Sequence, residues 1–339
     1  MSTTAADAGQ RLIAAHLRRR ERWRWWEIVF WLAVLAAIFA IPQRAGLINE
    51  ILIAGLFALS LDLILGLTGI VSLGHAAFFG LGAYTAAILS TRGITDPILG
   101  LVLASGLAAA LGLLTAPLLL RGSDLTRLMV TMGIALMLGE LANRNSWITG
   151  GADGLNIEMS PVLGLFPIGF TGQRNAALYS FVVLFLLFVV ARRLAQSPFG
   201  LSLAAIRENR LRAGALGIST SRRIIAIYAL AAAYAGAAGA LLAETTQIVS
   251  LDLFEFHRSA DVLLMLIIGG AGYLYGGIIG AALFIVLKDV ISGATPEYWE
   301  FWVGALLVAL VLIGRERIFG GAFRALLRLA PRLSRGGAA

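Results

Sequence analysis

Residues 99–120, LGLVLASGLAAALGLLTAPLLL, run for 22 positions without a charge. At about 1.5 Å per residue, a helix of that length reaches across the ~30 Å hydrocarbon core of a bilayer. Residues 175–191 form a second such run. Of the 339 residues, 59% are hydrophobic and 14% charged, against roughly 45–50% and about 25% in soluble domains. This excludes an ordinary globular enzyme and defines an all-α integral membrane protein.

The chain carries 27 Lys and Arg against 19 Asp and Glu, a formal charge of +8. The basic residues are clustered, so they read as membrane topology, and no nucleic-acid partner is needed. There are no cysteines. Disulfides, thiolate metal sites and cysteine nucleophiles are therefore excluded, and the redox compartment is not legible.

Residues 1–25 form a basic tail with Arg11, Arg18, Arg19, Arg20, Arg22 and Arg24. The apolar stretch 26–41 exceeds the about 7–15 residues of a signal-peptide core and follows an interfacial Trp25, so it reads as a retained first span. Further candidate spans cover 47–67, 72–89, 98–120, 125–141, 175–191, 224–243, 260–271, 274–291 and 299–313. With ten crossings and both termini inside, the inner segments hold 21 of the 27 basic residues, which is the bias expected of cytoplasmic segments. The topology is N-in and C-in. Residues 260–291 must then cross an even number of times, as two short spans or a re-entrant pair, because a single crossing would place the arginine-rich tail 315–339 outside. The transmembrane domain is 26–314, with a cytoplasmic loop at 192–223 and external loops at 142–174 and 244–259. None of these loops is large enough to be an independent catalytic domain.

Glycine-broken backbone at membrane depth is tolerated where it packs in protein or lines a cavity. Two segments have this character: GLTGIVSLGHAAFFGLGAY at 66–84 and IIGGAGYLYGGIIGA at 267–281. Broken helices of this kind build the midplane sites of many transporters. Ala232, Gly236 and Ala240, spaced by four, read instead as a surface for close helix packing. Asp62 and His75 are ionisable residues within spans and are functional candidates on that ground. They suit either a proton relay or structural roles, with His75 neutral and bonded to a backbone carbonyl of the broken segment and Asp62 bonding between helices. The structural roles are preferred. Ser72 and His75 do not make a serine hydrolase, because the G-x-S-x-G elbow is absent. No phosphate-binding loop or H-E-x-x-H zinc motif occurs, so ATP, if used, is hydrolysed on another subunit.

In the 192–223 loop, residues 201–219 read as one amphipathic helix ended by Gly217. Leu203, Ile206, Leu211 and Leu216 supply its apolar side, suited to membrane lipid or to a groove on a partner.

Taken together, residues 66–84, the TGGADGL run at 149–155, the AAIREN and ALGIS pieces of 204–219, and residues 267–281 resemble the LivM-type permeases of branched-chain amino acid ABC importers. The motifs occur in family order and cover about 47–319. The resemblance implies a permease subunit in a bacterial inner membrane. It would have no catalysis or cofactor of its own and would work with a second related permease, two ATP-binding subunits that use the ATP, and a soluble substrate-binding protein. It implies a translocation path at Ser72, Gly74, His75, Thr149, Gly150, Gly151, Asp153, Gly269 and Gly270. It also implies coupling to the ATPase through Ala204, Arg207, Glu208, Asn209, Ala215, Leu216 and Gly217. Here the chain departs from the usual glutamate-alanine-alanine pattern, with Arg212, Ala213 and Gly214 before Ala215. A permease for urea or short amides resembles the same pattern, and a proton-coupled secondary transporter or channel using Asp62 and His75 is the remaining alternative.

Overall fold

A computed structural model describes residues 24–122, 124–162, 167–168 and 172–294, with isolated positions at 298, 301, 302, 304, 305 and 308. The basic tail up to residue 23, most of the tenth candidate span and the tail 315–339 lie outside the described residues. The chain divides into a unit Met1–Ala282, which holds the contacts discussed below, and a unit Leu283–Ala339, whose described part is helical up to Ala294.

The helices are α1 (Trp25–Ala40), α2 (Ala45–Thr68), α3 (Ala76–Thr91), α4 (Pro97–Arg121), α5 (Asp124–Arg144), α6 (Ser146–Thr149), α7 (Gln173–Gln196), α8 (Pro198–Glu208), α9 (Arg210–Ala215), α10 (Thr220–Thr246), α11 (Phe256–Gly269) and α12 (Leu274–Ala294). Strands β1 (Leu155–Asn156) and β2 (Ile248–Val249) form one short antiparallel ladder, with Leu155 opposite Val249. Each of the first nine candidate spans falls on a helix. Among the described residues, six helices are long and apolar enough to cross a membrane, and α1 and α3 are shorter apolar helices. At 14 residues, α11 extends about 21 Å and is short of the ~30 Å core.

Helix α10 occupies the centre, against α4, α3 and α2. Its span and that of α2 are 78% buried, whereas α5 is 17% buried. The sequence of α10 explains this position. A Cβ at Gly112 of α4 would come within 2.7 Å of the Ala232 side chain, and one at Gly236 would press on Ala108 and lie 2.9 Å from the Ala104 carbonyl. One at Gly239 would enter the Phe79 carbonyl of α3. Small residues thus bring three backbones into contact, which is the packing reading of Ala232, Gly236 and Ala240. Outward, α4 exposes Leu103, Leu107 and Leu114, as suits a helix facing acyl chains. At the periphery, Trp31 of α1 packs edge-on against Phe185 and Phe188 of α7, with ring centroids 5.0 and 5.1 Å away.

The 260–291 region is two helices joined at residues 270–273. Gly269 lies against Gly276 and Met265 against Gly280, the pairing of an antiparallel hairpin.

The 201–219 segment departs from expectation. It is two helices rather than one, because Asn209 is extended (φ −159°, ψ 104°) and its side chain accepts from Arg212 N at 2.9 Å. Asparagine gains more by capping a new helix than by continuing the old one. The first helix begins at Pro198 with Ser197 as its cap. Gly217, at φ 82°, ends the second in a conformation that other residues rarely adopt.

Candidate functional site

Helix α2 ends at Thr68, and Gly69, at φ 75°, turns the chain out of it. Residues 69–75 then return to the level of Ser60 before α3 begins. Ser60 Oγ donates to the Phe57 carbonyl at 2.6 Å and lies 2.8 Å from His75 Nε2. With the hydroxyl hydrogen committed to Phe57, the network requires Nε2–H as the donor to Ser60. His75 is fully buried and stacks on Phe57, with ring centroids 5.7 Å apart. Its partner is therefore a hydroxyl on the preceding helix and not, as expected from sequence, a carbonyl of the broken segment. The geometric reason is that the segment folds back along α2 and brings its last residue beside the Ser60 hydroxyl.

Three elements close around this segment. Leu73 N donates to Thr131 Oγ1 of α5 at 3.3 Å, and Ala76 N donates to Ser259 Oγ of α11 at 2.9 Å. Gly74 lies directly on the Thr131 carbonyl, so that any Cβ would overlap it. Ser72 is buried, and its hydroxyl has no hydrogen-bond partner among the described residues. Two backbone N–H groups at the break are thus satisfied by side chains of neighbouring helices, as membrane depth favours.

Asp62 lies elsewhere. It is 1% exposed, and its Oδ1 accepts from Gly272 N at 2.6 Å in the turn between α11 and α12. It thus bonds between helices as expected. Asp62 and His75 take separate partners, and the structure does not join them in a relay. Asp62 also borders a cavity of about 380 Å³ whose lining includes Arg24, Glu27, Arg192, Gln196 and Tyr275. Inside that lining, Arg192 and Glu27 form a buried ion pair at 2.9 Å. Gly269 and Gly270 belong to the same end of the bundle, at the close of α11.

Thr149, Gly150, Gly151 and Asp153 lie at the opposite end, just past α5. Thr149 is buried and caps its own turn through the Ala142 and Asn145 carbonyls. Gly150, Gly151 and Gly154 have positive φ and lead the chain into β1. The structure brings this run to β2 and away from residues 72–75 and 269–270. Beside it, Asp252 accepts from Arg258 Nη2 at 2.9 Å and from Ser250 Oγ. Partial burial raises the Asp252 pKa, but these hydrogen bonds and the nearby positive charge outweigh burial and hold it below 3.8. The stabilisation from this group is therefore present above about pH 4 and is lost as pH falls through the lowered folded-state value. The stability difference between the parent chain and Arg258→Gln is expected to shrink on acidification from about pH 6 to about pH 3. Thermal unfolding in detergent measures it, and a constant difference would refute the assignment.

Two polar groupings escaped sequence reasoning. Ser180 Oγ donates to Asn49 Oδ1 at 2.6 Å, and Asn49 Nδ2 donates to Thr245 Oγ1 at 3.0 Å, linking α7, α2 and α10. Glu244, expected in the 244–259 loop, is instead fully buried in α10 and accepts from Tyr179 OH at 3.0 Å. Gly100 makes room for it, since a Cβ there would lie 2.9 Å from Glu244 Oε1. Only the presence of uncharged polar residues near span ends hinted at such a network.

Of the coupling candidates, Arg207 is exposed as a residue, and its Nη1 reaches back to the bundle, donating to the Gly66 carbonyl at 2.6 Å. Ala204, Glu208, Asn209, Ala215, Leu216 and Gly217 are exposed, as is Leu211. Leu203 and Ile206 anchor α8 in the bundle.

These features define a polytopic helical membrane protein with a broken central segment and a helix pair docked at its arginine-rich end. The family model "Branched-chain amino acid transport system / permease component" matches residues 43–311, and the chain belongs to that family. It is 30% identical to the high-affinity branched-chain amino acid transport system permease protein LivM of Escherichia coli K12, over 76% of this chain and 65% of that protein. It is 28% identical to the probable permease LivH of Methanocaldococcus jannaschii, over 70% of this chain and 76% of the relative. It is 26% identical to the autoinducer 2 import system permease protein LsrC of Enterobacter sp. 638, over 81% and 80%. The match thus spans just under two thirds of the length of the LivM relative. No solved structure matches significantly.

Proposed function

We propose that this chain is a membrane-spanning permease subunit of an ABC importer for branched-chain amino acids in a bacterial inner membrane. It has ten crossings with both termini inside, and it works with a second permease, two ATP-binding subunits and a soluble binding protein. ATP is used by the partners, and this chain carries no cofactor. The observation that carries the reading is the α8–α9 pair. Helix α8 is fixed to the membrane helices by buried Leu203 and Ile206 and by Arg223 of α10, which donates to Ser202 Oγ at 2.7 Å. Leu211 of α9 and Leu216 just past its end are exposed at 88% and 74%. An anchored helix followed by a short one with bare leucines suits a docked partner that pushes on the bundle. The family match supports the same assignment. In this arrangement α2, α4 and α7 end, and α5, α10 and α12 begin, at the cytoplasmic face. The 142–174 and 244–259 loops, pinned together by β1 and β2, receive the binding protein. Cargo passes beside residues 72–75.

The test is reconstitution of the complete importer in proteoliposomes. ATP-dependent uptake of labelled leucine is expected, and Leu211→Asp is expected to release the ATPase subunits during co-purification and abolish uptake. Uptake driven by a proton gradient without ATP, or uptake of urea but not leucine, would overturn the reading.

A further inference from the structure

Three segments meet at the arginine-rich end of the bundle: the C-terminus of α2, the turn between α11 and α12, and the last turn of α8. Their meeting point is nearly free of side-chain bulk. A Cβ at Gly66 would lie 2.9 Å from Gly272 N, one at Gly272 would lie 3.1 Å from Arg207 Nη1, and one at Gly69 would lie 3.4 Å from Arg207 Cγ. Two polar bonds cross the gap. Gly66 is among the last four residues of α2, whose carbonyls have no partner within the helix, and Arg207 Nη1 fills that vacancy at 2.6 Å. The guanidinium also meets the negative end of the α2 dipole and bears electrostatically on Asp62. One turn back along α2, Asp62 holds Gly272 N at 2.6 Å.

We propose that Arg207 and Asp62 form a latch that passes movement of the α8–α9 pair to the α11–α12 hairpin. Arg207 grips the end of α2, and Asp62 ties that end to the turn at Gly272. Arg207 is on this account a positioning residue that faces the membrane helices, and ATPase contact is left to α9 beyond the Asn209 break. The break makes the division workable. Helix α8 stays with the bundle, and the partner engages Leu211 and Leu216. The second carboxylate oxygen of Asp62 is buried with no hydrogen-bond partner among the described residues, so Asp62 is joined to the turn through Gly272 N, while Arg207 holds the end of α2. The proposal rests on the coupling role given to α8–α9 above.

The chain has no cysteine, so Tyr273→Cys, at a position 69% exposed in the latch turn, gives a unique thiol. In the complete importer, its maleimide-labelling rate is expected to change roughly fivefold or more on ATP binding. Adding Arg207→Gln is expected to flatten that response while the ATPase subunits still co-purify, and to raise ATP consumed per leucine imported by a similar factor. Arg207→Lys, which keeps a charge at the helix end, is expected to restore part of the response. An unaltered nucleotide response in Arg207→Gln, no response in the parent, or release of the ATPase from folded Arg207→Gln would each overturn the latch. Where Arg207→Gln does not fold, Asp62→Asn, which keeps an acceptor for Gly272 N–H, is expected to respond to ATP, and Asp62→Ala is not. Equal responses from these two overturn the proposal. Retention of the ATPase by Leu211→Asp would instead defeat the docking role of α9, a failure separate from that of the latch.

Discussion

Replacing Arg192 by alanine is expected to destabilise the folded chain by about 3–5 kcal/mol, because it leaves a buried carboxylate without its counter-charge. Arg192 and Glu27 are 2.9 Å apart, and their side chains are only 7% and 8% exposed. Phe188 and Tyr275, 4.6 Å apart between ring centroids, line the same cavity as the pair. Helix α1 packs on α7 and α2 and sets Trp26 and Phe30 against Tyr275 of α12, with ring centroids 5.1 and 5.4 Å apart, so this pair and the aromatic contacts hold it in place. The double variant Glu27→Met, Arg192→Met is expected to regain most of the loss, since an apolar pair of similar volume removes the desolvation cost along with the attraction. Thermal unfolding of the two single variants and the double variant in detergent completes a mutant cycle. A double variant as unstable as Arg192→Ala would show that the charges are not coupled.

The second large effect is expected at Gly74. Even alanine there places its Cβ within the Thr131 carbonyl and 3.0 Å from the Thr131 Cα. The obstruction is backbone of a neighbouring helix and cannot rotate away. Overpacking costs typically 1–3 kcal/mol and occasionally more, and Gly74→Ala is expected at or above about 3 kcal/mol for that reason. Relief requires α5 to move off the broken segment, so leucine uptake is expected to fall with stability. Gly133 on the same helix is the control. A Cβ there meets nothing within 4 Å, and Gly133→Ala is expected to keep stability unchanged or raise it, since alanine favours helix. Equal stability of the two variants would remove Gly74 from the packing argument.

How far the architecture was legible follows from the physics of each signal. Spans are visible because bilayer thickness imposes a length and an apolar composition, and nine of them are helices. The glycine breaks were visible because glycine is the residue that close backbone contact requires, as at Gly269 against Gly276. Pairing was less legible. Whether Asp62 meets His75 or Gly272 depends on where α12 lies, and no local spacing encodes that. The Asn49–Ser180–Thr245 network joins residues up to 196 positions apart. Asn209 is a local signal that the reading of 201–219 as one helix passes over, since asparagine is a recognised helix N-cap. The resemblance places Thr149 to Asp153 with the translocation path, and the structure adds that the positive-φ glycines 150, 151 and 154 lead the chain into β1. Gly217 was read correctly as a helix end, though of a shorter helix.

The small ladder between Leu155 and Val249 also bears on how the protein is made. Its two strands are separated by about ninety residues, including α7 and α10. Ribosomes add roughly 5–20 residues per second, so β1 waits on the order of 5–20 s for its partner to be synthesised. During that interval, α2, α3 and α4 must reside in the bilayer without the central α10 on which they pack. Assembly therefore cannot proceed by completing one helix contact after another in chain order, and closure of the ladder marks the moment when the early and late halves have found each other.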